Sequence, residues 1–195
     1  FMPVGFEFLP FSCLGLIGCP ENTEILETGD PLEGIRLEVG EAKGNPEPFY
    51  TCNILNPLPS LLKGAKGVGH ITGTPDSDGV FRRVPLVISH RGRLIPSLSF
   101  AAIIGALDLK PSQIEIDFGR AILLHEVQLP GTADRTTIEI PINSRGEIIV
   151  NFAGPWQDAF PSYSAADLLL ASPEQQSALK GKLHQCFCIV ALSAS

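Results

Sequence analysis

The chain has 195 residues, of which 44% are apolar and 18% charged, with 19 glycines and 17 prolines, a balance that predicts a folded, turn-rich domain and excludes a disordered one. Its net charge of −7 arises within residues 1–60, where nine acidic residues stand against two basic ones, and the rest of the chain is neutral. Since neither part offers a basic face, nucleic acid is excluded as a partner.

The first twenty residues are apolar, but Glu7, several glycines and three prolines interrupt them before the roughly 20 residues that a membrane helix needs. They also lack the basic start and the small-residue cleavage site of a signal peptide. We therefore expect a chain that is soluble by itself. In the proline-rich stretch up to residue 57, only GIRLEVG (34–40) alternates like a strand.

The next part of the sequence predicts a helix, two strands and a second helix. PLPSLLKGAKG (57–67) predicts a short helix with Ser60 as a possible cap. VGHITG (68–73) and GVFRRVPLVIS (79–89) predict two strands of a hairpin joined by TPDSD. IPSLSFAAIIGALDL (95–109) predicts the clearest helix, capped by Ser97 and mostly covered because it lacks charge before its end.

A β-rich block and a short helix follow. The strands are IEIDF, AILLHEVQL, TTIEIPI and GEIIVNF, between residues 114 and 152. SAADLLLAS (164–172) predicts a helix capped by Ser164, with Asp167 three residues on. The order of strands and helices predicts an α/β (mixed α+β) fold, a mixed β-sheet with helices packed on it in a single domain.

QCFCIVAL (185–192) reads as a fully buried strand, normally central in a sheet. Because the sequence stops a few residues later, we expect a fragment of something longer. The five cysteines, at positions 13, 19, 52, 186 and 188, are expected to be buried thiols. No second CxxC or histidine pair lies at zinc-ligand spacing, so no metal site is predicted.

The stretch ITGTPDSDGVFRRVPLVI (71–88) has two aspartates and two arginines within eight positions, the highest concentration of candidate functional side chains in the chain. An EF-hand loop starting at Asp76 would place Val80, Phe81 and Val87 where an oxygen ligand, a glycine and a bidentate glutamate belong, which excludes calcium. A phosphotransfer aspartate should end a buried strand, and Pro75 disfavours such a strand directly before Asp76.

A tight turn is the favoured interpretation of this stretch. Asp78 and Gly79 supply positive φ angles, and Asp76 accepts backbone N–H bonds. Arg82 and Arg83 then point to opposite faces of a strand. Either could clamp an anionic ligand, although an ion pair with Asp76 or Asp78 is the favoured alternative. These two aspartates and two arginines are the candidate ligand-binding residues.

Other catalytic motifs fail on their spacing. HEVQL (125–129) lacks the second histidine of a zincin, and the glycine-rich stretches around residues 64–73 lack the full pattern of a phosphate-binding loop. No G-x-S-x-G occurs. The histidines are expected to be structural or surface residues, at positions 70, 90, 125 and 184. The sequence therefore predicts no catalytic residue and no cofactor.

From residue 58 to the end, four stretches taken in order resemble the type-2 CHASE domain. They are LPSLLKGAKGVGHITGTPDSDGVFRRVPLVI, IPSLSFAAIIGAL, IPINSRGEIIVNFAGPWQDAFPSYSAADLLL and LKGKLHQCFCIVALSAS. The resemblance transfers motif positions but no functional roles: Pro75, Asp76, Asp78, Gly79, Arg82, Arg83, Asn151, Gly154, Pro155, Tyr163, Ser164 and Asp167.

The resemblance implies an extracytoplasmic sensory domain, periplasmic or extracellular, of a bacterial or cyanobacterial signalling protein. The signal is an unknown small molecule or environmental stimulus. Membrane helices of the parent protein would lie outside this chain, and the output would be an adenylate or guanylate cyclase, a diguanylate cyclase, or a histidine or serine/threonine kinase. The domain itself is expected to have no catalytic activity, and homodimer formation is left open.

The resemblance divides the chain at residue 58. Residues 58–195 form the sensor core, cut off at its C-terminal end, and residues 1–57 form a divergent or truncated N-terminal part without the family's acidic and tryptophan-rich segments. Two alternative functions remain: a phosphatase-like enzyme that uses Asp76 or Asp78, and a purely structural or dimerising ectodomain.

Overall fold

The computed structural model describes residues 11–18, 36–47, 51–55, 65–155, 159–183 and 186–189, with the backbone alone for 11–18 and 51–55. The sequence predicts a single domain, whereas contacts group the chain into two compact units. The larger unit is Leu9–Val150, and the smaller unit contains Asn151–Ser195 together with Phe1–Phe8. Each unit is described by itself.

The larger unit holds every strand of the described residues. The strands are β1 (Phe11–Gly18), β2 (Glu41–Lys43), β3 (Thr51–Leu55), β4 (Gly67–His70), β5 (Arg83–Pro85), β6 (Val87–His90), β7 (Arg93–Pro96), β8 (Ile114–Asp117), β9 (Ala121–Gln128), β10 (Arg135–Pro141) and β11 (Glu147–Ile149). The helices are α1 (Leu98–Ala106), α2 (Ala165–Leu169) and α3 (Pro173–Leu183), with a 3-10 turn at Pro111–Gln113.

The described strands form four sheets, ordered β3-β1-β4, β10-β9-β8-β2, β11-β5 and β6-β7. In the first sheet β1 is antiparallel to β3 and parallel to β4. In the second, β2 is parallel to β8, whereas β8, β9 and β10 are antiparallel neighbours. Helix α1 packs against β1 and β4. The predicted class, a mixed sheet with helices packed on it, is confirmed.

The hydrophobic core of the larger unit lies on one face of the four-stranded sheet. Ile114 and Ile116 of β8 and Ile122 and Leu124 of β9 are buried, and the residues between the members of each pair are only partly covered. This period of two is what the sequence predicts for these strands. Full burial of one such side chain contributes about 1.5–3 kcal/mol to the free energy of unfolding.

The alternation of buried and exposed residues in β9 is interrupted between Leu124 and Val127. Both are buried although they are three positions apart, and in a regular strand they would lie on opposite faces. Here β9 has one residue more than the stretch of β10 that it pairs with. Glu126 adopts a positive φ of 53°, and the side-chain amide of Gln113 donates to the carbonyl oxygens of His125 (2.9 Å) and Glu126 (3.3 Å). This bulge returns Val127 to the core face.

The strand predicted at residues 34–40 is wrong for the residues that the structure describes, which begin at Arg36. The N–H of Leu37 donates to the carbonyl oxygen of Leu94, whereas that of Gly40 donates to Ile114. Because these two bonds reach different strands, they form no continuous ladder, and β2 begins only after them. The helix predicted at 57–67 lies largely outside the described residues.

Helix α1 begins where the sequence predicts. The hydroxyl of Ser97 accepts a bond from the N–H of Phe100 at 3.2 Å. However, Phe100 is the only fully buried residue of α1, and Ile103 is 37% exposed. Leu98, Ala101, Ala102 and Ile104 are partly buried, so the helix is covered on about half of its surface rather than over most of it.

The smaller unit contains α2 as predicted, with the hydroxyl of Ser164 accepting from the N–H of Ala166 at 3.1 Å. Helix α3 is an addition to the sequence prediction. Ser172 and Gln175 cap its start reciprocally: the Gln175 side chain accepts from the Ser172 N–H (2.8 Å), and the Ser172 hydroxyl accepts from the Gln175 N–H (3.4 Å). This is a capping box, which the sequence SPEQ could have signalled.

The buried strand predicted at QCFCIVAL is wrong for its described residues, 186–189. Cys186 and Cys188 are exposed and form no disulfide among the described residues, Phe187 is 68% exposed and Ile189 is 79% exposed. No described strand pairs with this segment, although Cys186 bonds to the carbonyl oxygens of Leu183 and Lys182 at the end of α3. An apolar run is buried as a strand only if another strand lies beside it, so the expectation of buried thiols fails here. The other three cysteine side chains lie outside the described residues.

The turn between β10 and β11 packs directly onto β6. The N–H of Leu86 donates to the carbonyl oxygen of Gly146 at 2.8 Å. Gly146 has a φ of +73°, and a Cβ atom there would overlap the carbonyl oxygen of Val87. Only glycine satisfies both the backbone angle and this close approach.

We expect Gly146→Ala to lower the free energy of unfolding by clearly more than Gly131→Ala. Both glycines have a positive φ, 73° and 80°, but nothing lies within 4 Å of a Cβ at Gly131. The backbone cost of about 1–2 kcal/mol is common to both, and overpacking adds about 1–3 kcal/mol at Gly146 alone. Urea denaturation of the two variants measures the difference, and equal losses would contradict the close approach.

Candidate functional site

The turn at Asp76–Gly79 has the geometry of a three-residue loop that ends in a left-handed glycine. The N–H of Gly79 donates to the carbonyl oxygen of Asp76 (2.8 Å), and the N–H of Asp76 donates to Val80 (2.9 Å). Gly79 has a φ of +82°, whereas Asp78 is not among the positive-φ residues. A tight turn lies where the sequence predicts it, but its loop has three residues rather than two, and only Gly79 of the predicted pair has a positive φ.

The hairpin predicted around this turn is wrong. Strand β4 pairs with β1, whereas β5 pairs with β11, so the two flanking strands belong to different sheets. Both are also shorter than predicted, because β4 ends at His70 and β5 begins at Arg83. Leu86 separates β5 from β6, since its N–H donates to Gly146 instead.

The carboxylate of Asp78 is held by the turn and by one arginine. Its Oδ1 accepts from the N–H of Val80 (3.1 Å) and from Nη1 of Arg82 (2.9 Å), and its Oδ2 accepts from Nη2 of Arg82 (2.8 Å). The side-chain-to-backbone bond predicted for Asp76 is thus made by Asp78. The bidentate pair with Arg82 lowers the pKa of Asp78 and raises the pKa of Arg82.

The carboxylate of Asp76 lies between the two arginines. Its Oδ2 accepts from Nη1 of Arg82 (3.2 Å), and its Oδ1 accepts from Nη1 of Arg83 (3.0 Å). The prediction that Arg82 and Arg83 point to opposite faces is therefore wrong. Arg82 precedes β5, so strand alternation does not separate the two side chains. The ion pairs that the sequence favours are confirmed.

Within this cluster, two carboxylates and two guanidinium groups cancel in charge. Each of the four carboxylate oxygens accepts at least one guanidinium bond. A cation or a phosphoester would have to compete with the positively charged guanidinium groups for the lone pairs of these oxygens. In the part of the chain that the structure describes, no group of three or more histidine, cysteine or acidic residues is placed to hold a metal ion.

Arg83 differs from Arg82 in having unused donors. Its side chain is about half exposed and bonds to Asp76 through Nη1 alone. The Nε and Nη2 donors face no other described residue at hydrogen-bond distance. In contrast, both terminal nitrogens of Arg82 donate to the two aspartates. The cluster thus presents one guanidinium that an external anion can still engage.

Exposed apolar side chains lie opposite Arg83 and just before it in the chain. Ile149 is its direct partner across the β5–β11 pair and is 74% exposed. Phe81 and Val80, in the turn that leads to β5, are 48% and 44% exposed. The sequence interpretation missed this apolar rim, because a run of apolar residues within a predicted strand indicates burial and no local signal marks such a run as exposed.

The histidines are separate from this cluster. His70 and His90 are buried at the ends of β4 and β6, and His125 lies 3.2 Å from a carboxylate oxygen of Glu115. His184 lies outside the described residues. Structural and surface positions are therefore confirmed for the three described histidines.

His70 is a buried neutral histidine. It is 1% exposed, and its Nδ1 accepts from the N–H of Thr72 at 3.3 Å. Its Nε2 has no hydrogen-bond partner among the described residues. Burial lowers the pKa of His70 to about 4 from the usual 6.5, because the protonated ring would lose its hydration.

We expect Gly79→Val to lower the urea midpoint more than Arg83→Ala does. A β-branched residue is strained at the φ of +82° that Gly79 adopts, although open space surrounds a Cβ there. Arg83 contributes an exposed ion pair, a class that adds little to stability. Gly79→Asn is the control, since asparagine tolerates a left-handed φ. Equal midpoints for the valine and alanine variants would contradict the turn.

We expect His70 to make the protein less stable at acidic pH. The unfolded chain takes up a proton near pH 6.5, whereas the folded chain resists protonation down to about pH 4. The free energy of unfolding therefore does not depend on His70 above pH 6.5. It decreases as the pH falls from 6.5 toward 4, by up to about 1.4 kcal/mol per pH unit. Urea unfolding between about pH 7 and pH 5 should show this slope in the parent and a shallower slope in His70→Gln. His125→Gln serves as the control, and parallel slopes for the parent and His70→Gln would contradict the buried neutral ring.

Comparison with known proteins places the chain in a family. None of the helices among the described residues is long and apolar enough to cross a membrane. Searches against curated proteins and against solved structures gave no significant match. A family model, the CHASE2 domain, matches residues 22–194, so the match begins upstream of residue 58, where the motif series starts. The chain belongs to the CHASE2 domain family, a family of extracellular sensory domains.

Proposed function

We propose that this chain is the signal-input domain of a transmembrane signalling protein and that it binds a small anion with an apolar body at Arg83. The chain has no catalysis of its own. The parent protein carries the output, a nucleotide cyclase, a diguanylate cyclase or a protein kinase, beyond membrane helices that are not in this chain. The output classes rest on the family resemblance, and the ligand chemistry rests on the site.

The main evidence for an anionic ligand is that Arg82 and Arg83 differ in how many of their N–H donors are already bonded to the aspartates. Arg82 is engaged by Asp76 and Asp78, whereas Arg83 bonds only through Nη1. A carboxylate that approaches Arg83 from solvent meets two parallel donors, Nε and Nη2, which is the bidentate geometry that arginine favours. The bond from Nη1 to Asp76 holds the guanidinium in place before the ligand arrives.

The apolar rim supports an organic ligand over an inorganic ion. Ile149, opposite Arg83 in the β5–β11 pair, and Phe81, two residues before Arg83, are exposed, and we infer that a ligand with an aliphatic or aromatic body covers them when it binds. Small-molecule sites commonly combine an apolar lining with a few polar groups that orient the ligand. A carboxylate on an apolar body satisfies both parts of this surface.

The state of the carboxylates supports a role without catalysis. A phosphatase-like reaction needs an aspartate oxygen that is free to attack phosphorus. Both oxygens of Asp76 and both oxygens of Asp78 already accept guanidinium bonds. The positive charge of the two guanidinium groups makes these oxygens weaker nucleophiles, which counts against the phosphatase alternative.

Binding can be measured by calorimetry with a panel of aliphatic and aromatic monocarboxylates, using acetate and inorganic phosphate as small-anion references. We expect an apolar carboxylate to bind, and Arg83→Gln to weaken its binding about tenfold or more, as for the loss of a bidentate charged bond. Arg120→Gln is the matched control, because Arg120 is more exposed and lies in the turn between β8 and β9.

Four outcomes would contradict parts of the proposal. Equal binding by Arg83→Gln and the parent, or no binding of any carboxylate, would remove the site. Turnover of phosphoesters with Mg²⁺ that Asp76→Asn abolishes would establish the enzymatic alternative. A full-length reading frame without a membrane helix on either side of this chain would remove the transmembrane signalling role.

A further inference from the structure

Strand β10 forms one edge of the four-stranded sheet and is the longer of its two edge strands. It has seven residues and pairs with β9 along one side, and no described residue pairs with its other side. The opposite edge, β2, has three residues, and Lys43 within it is bonded to Glu41 and Glu115. A short edge offers few backbone groups for strand addition, whereas the seven residues of β10 offer more.

The side chains of β10 divide cleanly between the two faces of the sheet. Ile138 and Ile140 are half-buried and pack against the core. Arg135, Thr137 and Glu139 alternate with them and are exposed on the other face. No ion pair engages Arg135 or Glu139 within the described chain. Both charges therefore stand free on the same face of an open edge.

The order of these residues is self-complementary. In an antiparallel pair of two identical strands related by a two-fold axis, residue i of one copy lies opposite residue j of the other and the reverse also holds. With the axis at Thr137, Arg135 of each copy lies opposite Glu139 of the other. The same register places Thr136 opposite Ile138 on the core face, so both faces of the sheet continue across the junction.

If the two-fold axis is shifted by one residue in either direction, Arg135 no longer lies opposite Glu139. Moving the axis to Thr136 places Arg135 opposite Thr137 and leaves Glu139 opposite Ala133. Moving it to Ile138 places Arg135 opposite Pro141, which has no N–H to donate to the new ladder. Only the axis at Thr137 brings opposite charges face to face, twice for each pair of strands.

We infer that β10 is the site at which this chain pairs with a second copy of itself, antiparallel and centred on Thr137, joining two sheets into one. The backbone ladder supplies the attraction, and the two Arg135–Glu139 pairs select the register. Threonine and isoleucine in the strand favour the extended backbone that the ladder requires. The pairing does not rest on the anion site at Arg83, because neither strand β5 nor β11 takes part in it.

Sedimentation of the whole chain over a range of concentrations tests the pairing. We expect the parent to form a dimer, and Arg135→Glu or Glu139→Arg to raise its dissociation constant about tenfold or more, because each change sets two pairs of like charges opposite each other. The double variant, Arg135→Glu with Glu139→Arg, should restore the dimer. An equimolar mixture of the two single variants should form a heterodimer, since each then offers the charges that the other lacks.

Lys180→Glu and Glu38→Arg are the controls, because they make the same changes in net charge at exposed positions outside β10. Circular dichroism should show that all variants are folded. A parent that stays monomeric overturns the inference. It is equally overturned if the double variant stays as weak as the single ones, or if the controls weaken the dimer as much as the β10 variants do.

Discussion

The close approach of Gly146 to the carbonyl oxygen of Val87 is the constraint on which the arrangement around the site depends. Because no side chain stands between them, the β10–β11 turn lies directly on β6, and the Leu86 N–H can reach Gly146. This contact fixes where β11 starts and therefore where β5 pairs with it. The side chains of Arg83 and Ile149 are opposite each other as a consequence.

Polar contacts reinforce the same turn from a distant part of the chain. Glu47 accepts from the hydroxyl of Ser144 (2.6 Å) and from Nε of Arg145 (2.8 Å), and the bond with Arg145 lowers the pKa of Glu47. These groups are largely exposed, so water and salt weaken their contribution to stability. The free energy of folding comes mainly from the apolar core. The ion pairs of the turns instead determine local geometry, as the aspartate and arginine cluster shows around Gly79.

Local features of the fold could be predicted from the sequence. The alternation in β8, β9 and β10, the caps Ser97 and Ser164, and the turn at Gly79 each depend on residues within a few positions of one another. The capping box of α3 was equally local, although the sequence interpretation passed over it. The hairpin around Gly79 was wrong because its two strands found partners far away in sequence, β1 and β11. The buried strand at 186–189 was wrong for the same kind of reason, since an apolar run does not identify its neighbour.

The sequence by itself determined the family, through motifs in a fixed order that agree with the match over residues 22–194, and it determined the turn that brings Asp76 toward the arginines. Only the tertiary structure decided that both arginines share this carboxylate, that Arg83 lies opposite Ile149 with donors that no described residue uses, and that β10 is an edge strand among the described strands. The physical reason is that side-chain periodicity specifies which face of a strand is buried. The hydrogen bonds of a sheet join residues that are distant in sequence, so periodicity cannot specify which strand lies alongside.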